Sequence, residues 1–268
     1  MNRKFLLLVF VLCFSSLFAY GLNRSYNIRF GMPSKAGMLM NKGGFIMLYS
    51  SRDKIPLWVS YSLKKKHLKD NVRMVRGYRP DPEVKKKYRA KVSDYAGRGM
   101  YDRSRMVPLR DMLRSEEMMK KAHFLSNICP MHHKLNRGPW RALEKKIRRF
   151  VREKKEVWIM AGPVFMDLDS DGKRDNYGRL GESGIPVPTH FYKIIVYQAN
   201  DYSFHAAAFL FPNTGVKREP ARCAAPIDKI EKHTGFDFLH LLPDEVEELL
   251  ERKKPGKKEL EYLLDCKE

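Results

Sequence analysis

Cysteine is scarce in this chain, four in 268 residues, and one of the four, Cys13, falls in the first apolar run. Without that run the set is Cys129, Cys223 and Cys266. An odd and sparse set argues against a disulfide framework and leaves open whether one pair forms. Long apolar runs are also missing beyond the N-terminus, so no later stretch reads as a spanning helix. No internal repeat is present. Acidic residues are short as well, 31 Asp and Glu against 52 Lys and Arg, for a formal net charge of +21. Such a surface attracts polyanions, of which nucleic acid is the commonest, with anionic lipid or cell-wall polymer as the alternative.

A hydrophobic content of 43% over 268 residues is ample for a real core and predicts one large domain. The opening residues combine a short basic start at Arg3 and Lys4, an apolar run from Phe5 to Phe14, and small or turn-forming residues before Leu22. That order predicts a secretory signal peptide over residues 1–21, its apolar run being too short to favour a membrane span. An uncleaved anchor is the alternative. Cleavage removes two positive charges, predicts a secreted or periplasmic protein, and leaves no stable membrane insertion. A single domain is then expected over residues 22–250, followed by a charged helical tail over residues 251–268.

Gly43–Ser50 and Ile55–Leu63, separated by the polar break Ser51–Lys54, predict a hairpin. A basic, irregular region from Lys64 to Arg89 follows, suited to guiding a phosphate backbone or to plain solvated surface. Helix signals run from Arg110 to Phe124, and again from Pro139, where Trp140, Leu143, Ile147, Phe150 and Val151 recur at helical spacing. Val157–Phe165, Pro188–Tyr197 and Phe204–Phe211 predict further strands. Pro226–Phe238 and the residues after Pro243 predict closing helices.

Three segments carry the chemistry: Asp102-Arg103-Ser104-Arg105-Met106-Val107-Pro108, then Ser126-Asn127-Ile128-Cys129-Pro130, then Leu135-Asn136-Arg137-Gly138-Pro139-Trp140 with Glu144 beyond. Together they resemble the signatures of the DNA/RNA non-specific endonucleases, the group that contains endonuclease G, whose site is a ββα-metal motif. The hairpin and the Gly162-Pro163-Val164-Phe165, Pro188–Lys193 and Pro226–Phe238 segments also resemble that family, so the likeness runs from about Gly31 to Leu250. It implies an α+β fold with a mostly antiparallel central sheet flanked by helices, and sequence-independent hydrolysis of DNA and RNA with Mg²⁺ or Mn²⁺. By the same resemblance Asn136 is the direct metal ligand and Glu144 orients a metal-associated water. Asn127 supports metal and substrate, Arg103 contacts phosphate, and Arg79, ahead of Asp81-Pro82, is a weaker phosphate candidate. Asp102 reads as a structural or second-sphere acid. With Asn136 and Glu144 eight positions apart, a regular helix would separate them by about two turns.

One departure bears on function. The family pattern Asp-Arg-Gly-His stands here as Asp102-Arg103-Ser104-Arg105. Histidine serves as a base because its pKa lies near neutrality, whereas arginine stays protonated in proteins. Three outcomes follow: His123, His132 or His133 substitutes as the base; the cation alone acidifies the water, with Arg105 stabilising phosphate charge; or the protein binds nucleic acid or another polyanion without cutting it. Separately, Asp167, Asp169, Asp171 and Asp175, with Gly172 in the sixth place, resemble the start of a Ca²⁺ loop. Gly178 occupies the twelfth place, where that pattern needs a glutamate, so an acidic surface tip is the competing reading.

Overall fold

A computed structural model describes residues 25–69, 72–75, 77–97, 99–154, 156–216 and 218–264. The expected signal peptide and Cys266 lie outside them. The predicted hairpin forms from β2 (Ile46–Ser50) and β3 (Ile55–Lys64), with β1 (Met38–Asn41) paired outside it. The ladder shifts register beside Leu48 and Tyr49, where Tyr49 faces Pro56; proline offers no N–H to the ladder.

β6 (Glu156–Val164), β9 (His190–Gln198), β10 (Phe204–Pro212) and the short β11 (Ala224–Ala225) complete a seven-stranded sheet of order β1-β2-β3-β6-β9-β10-β11. Every pairing in it is antiparallel, and β7 (Arg179–Leu180) and β8 (Ile185–Pro186) form a separate two-stranded pair. β2 is buried at all five positions, because apolar clusters cover both faces of the sheet. On one face lie two shorter strands, β4 (Tyr101–Arg105) and β5 (Ile128–His132), and α2 (Arg141–Lys154), whose Leu143, Ile147 and Phe150 are buried. The other face carries Ile28, Phe30 and Trp58, with Ile227 and Ile230 of α3 (Ile227–Thr234). Here α4 (Asp244–Arg252) also packs, through Leu250. Trp58 is fully buried, a core ring.

Two expectations change. The helix predicted across Arg110–Phe124 is split into a 3-10 turn, Leu109–Met112, and the short α1 (Glu116–Ala122). Ser115 is extended and its side chain caps α1 by accepting from the Met118 N–H, which restarts the helix there. At the other end of the chain, α5 (Lys257–Leu264) docks on α2: Leu263 and Leu264 are buried, Tyr262 meets Phe150 edge-on, and the Leu264 carbonyl accepts from Lys146 Nζ and Arg149 Nη2 at 2.8 and 3.2 Å. Much of the expected tail is therefore part of the packed body. Cys129 and Cys223 are buried free thiols. Among the described residues, no helix is long and apolar enough to cross a membrane.

Candidate nucleic-acid site

β4 and β5 pair antiparallel, with Asp102 opposite Met131, Ser104 opposite Cys129 and Arg105 opposite Ile128. The pleat sends alternate side chains of β4 to opposite faces. On one face, Asp102 and Ser104 hold the Asn136 amide between them: Ser104 Oγ donates to Asn136 Oδ1 at 3.0 Å, and Asn136 Nδ2 donates to Asp102 Oδ2 at 3.0 Å. Asp102 is fixed in turn by Arg137, whose Nε and Nη2 reach its two oxygens at 2.8 and 2.7 Å. These bonds settle which end of the amide is oxygen and leave Oδ1 a second lone pair.

The chain from Asn136 to Trp140 is a π-helical turn, broken at Gly138 (φ −101°, ψ −112°) before Pro139. Such turns are frequent at functional sites. The regular two-turn spacing expected between Asn136 and Glu144 is thus corrected: the kink intervenes, and Glu144 lies in the first turn of a helix that starts at Arg141. Glu144 stays only 14% exposed, with Lys193 Nζ 3.6 Å from Oε1. Burial pushes its carboxyl up, opposed by the charges of Lys193 and Arg148. Lys193 is fully buried, its ammonium 4.1 Å from the Trp140 ring centroid.

On the other face of β4, Arg103 and Arg105 both meet Tyr78, their guanidinium carbons 4.2 and 4.4 Å from its ring centroid. Tyr78 donates its hydroxyl to the Arg103 carbonyl at 3.2 Å. Arg105 Nη2 donates to the Gly77 carbonyl at 3.2 Å, and burial works against its charged form. Tyr78, Arg103, Ser104, Arg105, Asn136 and Glu144 line a groove of about 970 Å³. Among the described residues, ten arginines and lysines line it against one carboxylate, Glu144.

The expected supporting residues fare differently. Asn136, Glu144, Arg103 and Arg105 share the groove. Asn127 does not reach it: fully buried, its Nδ2 donates to the carbonyls of Val107 and Ala122 and its Oδ1 accepts from the Val107 N–H. Its amide is spent on the backbone, so the expected metal and substrate support is corrected to a brace. Arg79 is exposed and off the groove wall; its backbone is pinned beside Phe124, its N–H donating to the His123 carbonyl and its carbonyl accepting from the Leu125 N–H.

None of the three histidines lines the groove. His123 is buried behind Arg105, its Nδ1 2.5 Å from the Gly77 carbonyl and 2.9 Å from Arg105 Nη2; burial and then the guanidinium lower its pKa. His132 accepts the Lys134 N–H on Nδ1. His133 Nδ1 lies 2.9 Å from the Met100 carbonyl and faces a second, smaller hollow with Asp102 and Arg137. His190, on β9, is half-buried beside Thr189, and burial lowers its pKa to about 4. Of the loop aspartates, Asp167, Asp169 and Asp175 bring oxygens within 4.8 Å of one another, while Asp171 turns out to Lys173.

Tyr78, Ser104, Lys193 and Asn213 were missed in the sequence. Asn213 ties the end of β5 to β9's approach, accepting from the His132 N–H and donating to the carbonyls of Pro130 and Pro188. A lysine inside an apolar strand was a usable signal for Lys193, as was a hydroxyl at the motif's glycine position for Ser104.

The family model for DNA/RNA non-specific endonucleases matches residues 23–245. This chain belongs to that family. Human mitochondrial endonuclease G is 30% identical over 216 residues, 79% of this chain and 72% of that protein. The mitochondrial nuclease of Saccharomyces cerevisiae is 30% identical over 239 residues, 84% and 72%. Nuclease C1 of Cunninghamella echinulata is 28% identical over 222 residues, 80% and 88%. A solved chain from the EndoG/EndoGI complex superposes with a TM-score of 0.75 at 24% identity, covering 81% of this chain and 91% of that one. It shares the α+β fold with its mostly antiparallel central sheet. The family members named are nucleases.

Proposed function

We propose that the protein is a metal-dependent endonuclease that hydrolyses phosphodiester bonds of DNA and RNA without regard to sequence. The observation that carries this reading is Asn136: its amide is locked by Ser104 and Asp102 with a lone pair of Oδ1 to spare, in a basic groove whose single carboxylate among the described residues is Glu144. A neutral amide oxygen and a carboxylate are hard donors of the kind Mg²⁺ or Mn²⁺ takes, so the donor set fits. Asn136 would hold the ion directly and Glu144 through a water; when bound, the ion would supply positive charge for the phosphoryl oxygens and lower the pKa of the attacking water. Arg103 and Arg105 hold the phosphate and stabilise its transition-state charge. Phosphate contacts carry no base information, which accounts for sequence independence. A secreted or periplasmic setting rests on the signal-peptide reading of residues 1–21.

Arg105 cannot accept a proton. With no histidine lining the groove, the attacking water gives up its proton to solvent hydroxide, and log kcat should climb about one unit per pH unit through the range in which an imidazole base would level off. The second reading, polyanion binding without cleavage, is favoured by the same absence of a base. Cleavage of plasmid DNA and of RNA with Mg²⁺ or Mn²⁺ decides between them. Wild type should cut slowly with that unbroken slope, Asn136→Ala should not cut, and Arg105→His should cut faster and plateau near neutrality. A silent wild type beside an active Arg105→His would establish binding as the function.

A further inference from the structure

The geometry points to a subsite for a phosphate monoester, the terminal phosphate of a nucleic-acid strand, formed by Arg103 and Arg105 around Tyr78. It rests on the nucleic-acid reading above and adds to it which kind of phosphate the groove takes best.

The argument is one of unbalanced charge. Arg103 and Arg105 are alternate residues of β4, both within 4.4 Å of one ring centroid. Among the described residues, no carboxylate lies within ion-pair distance of either. The aspartate of their own strand, Asp102, is taken by Arg137 at 2.7 Å, and Glu144 lies beside Lys193. Arg105 is half-buried, and its Nε is closed to solvent with no hydrogen-bond partner. A partly desolvated cation without a counter-ion is costly; Arg105 is one, with a donor to spare, and a second unpaired guanidinium, Arg103, shares its ring.

An internal phosphodiester carries one negative charge. A monoester carries about −1.5 to −2 at pH 7 and offers three acceptor oxygens. With histidine at position 105 the pair would hold little more than one charge near neutrality, a match for a diester; arginine makes it two. Tyr78 gathers both guanidiniums at one ring, and its hydroxyl bonds the Arg103 carbonyl, so the two forks lie along one stretch of the groove to address one phosphate. The same chemistry occurs at a 5′ or a 3′ strand end.

The test is equilibrium anisotropy with short single-stranded DNA bearing a 5′-phosphate, a 3′-phosphate or neither, in EDTA at physiological salt. One phosphorylated end should bind about tenfold tighter than the bare strand. Arg105→His should reduce that preference below about twofold, whereas Arg152→Ala, elsewhere on the groove wall, should weaken all three strands alike. Competition supplies a readout on wild type alone: methyl phosphate should displace the labelled strand, and dimethyl phosphate, its singly charged diester counterpart, should not at the same concentration. Equal affinity for the three strands, or equal competition by the two esters, overturns the inference. A preference without any cleavage in Mg²⁺ would sink the nuclease reading and leave this one standing; cleavage without a preference would do the reverse.

Discussion

Asn127→Ala separates the brace from the ligand. Truncation removes three hydrogen bonds and leaves the Val107 N–H, the Val107 carbonyl and the Ala122 carbonyl without partners in a place closed to solvent. Each buried backbone group so orphaned costs about 1–3 kcal/mol. Water entering the vacated space recovers part of that, so the loss should be about 3–5 kcal/mol, a large share of the roughly 5–15 kcal/mol that holds a domain folded. Urea unfolding followed by tryptophan fluorescence reads it directly: with a slope near 3 kcal/mol/M, the midpoint should fall by about 1–1.7 M. Cleavage per folded molecule should fall much less than for Asn136→Ala, since Asn127 sets the exit of β4 and touches no part of the groove. A midpoint unmoved within about 0.3 M, together with abolished cleavage, would mean that Asn127 acts at the phosphate and that the reasoning is wrong.

Two further substitutions test the scaffold around the site. Asp111 accepts from Tyr61 on β3 and Arg148 on α2, both at 2.9 Å, and Asp111→Ala would leave the buried Arg148 without this partner; unfolding stability should drop by about 3–5 kcal/mol. Glu251 on α4 has its carboxyl pushed up to about 8 by burial and by the charges of Glu231, Glu247 and Asp228, against one bond from the Leu239 N–H. A carboxyl raised in the folded state contributes stability below its unfolded pKa, near 4.5, and loses it as pH rises toward 8. Stability of wild type should therefore decline across that window, Glu251→Gln should flatten the decline, and melting curves from pH 4.5 to 9 that are parallel for the two proteins would refute the assignment.

The sheet was legible because its strands are long, apolar and β-branched or aromatic, and because the polar break at Ser51–Lys54 punctuates the hairpin. The number of buried faces was not: a fully buried β2 has no alternation to show which side is covered. The groove residues Arg103, Asn136 and Glu144 were legible as motif positions, since the residue types suit phosphate and hard cations. What spacing could not reveal was direction. Asn127 and Asn136 are the same residue type nine positions apart, yet one side chain faces backbone groups and the other the groove, because the β5 strand and the π turn intervene. Tyr78 comes to β4 through a long irregular segment, and such contacts leave no periodicity to read.

The two faces of β4 explain why replacing a single residue need not undo the site. Asp102 and Ser104 orient Asn136 on one face, while Arg105 and Tyr78 occupy the other, so Arg105→His would change the Tyr78 face and leave the amide's bonds untouched. His123 does not inherit the base's place. Its ring is buried, Nδ1 is held at the Gly77 carbonyl, and the neighbouring guanidinium lies on its groove side, favouring a neutral imidazole that water in the groove does not reach. Arg105 thus stands between the groove and His123. That is why Arg105→His is the decisive substitution, and changes at His123, His132 or His133 are not: each of those rings already holds a backbone partner, and its loss would be read first as instability.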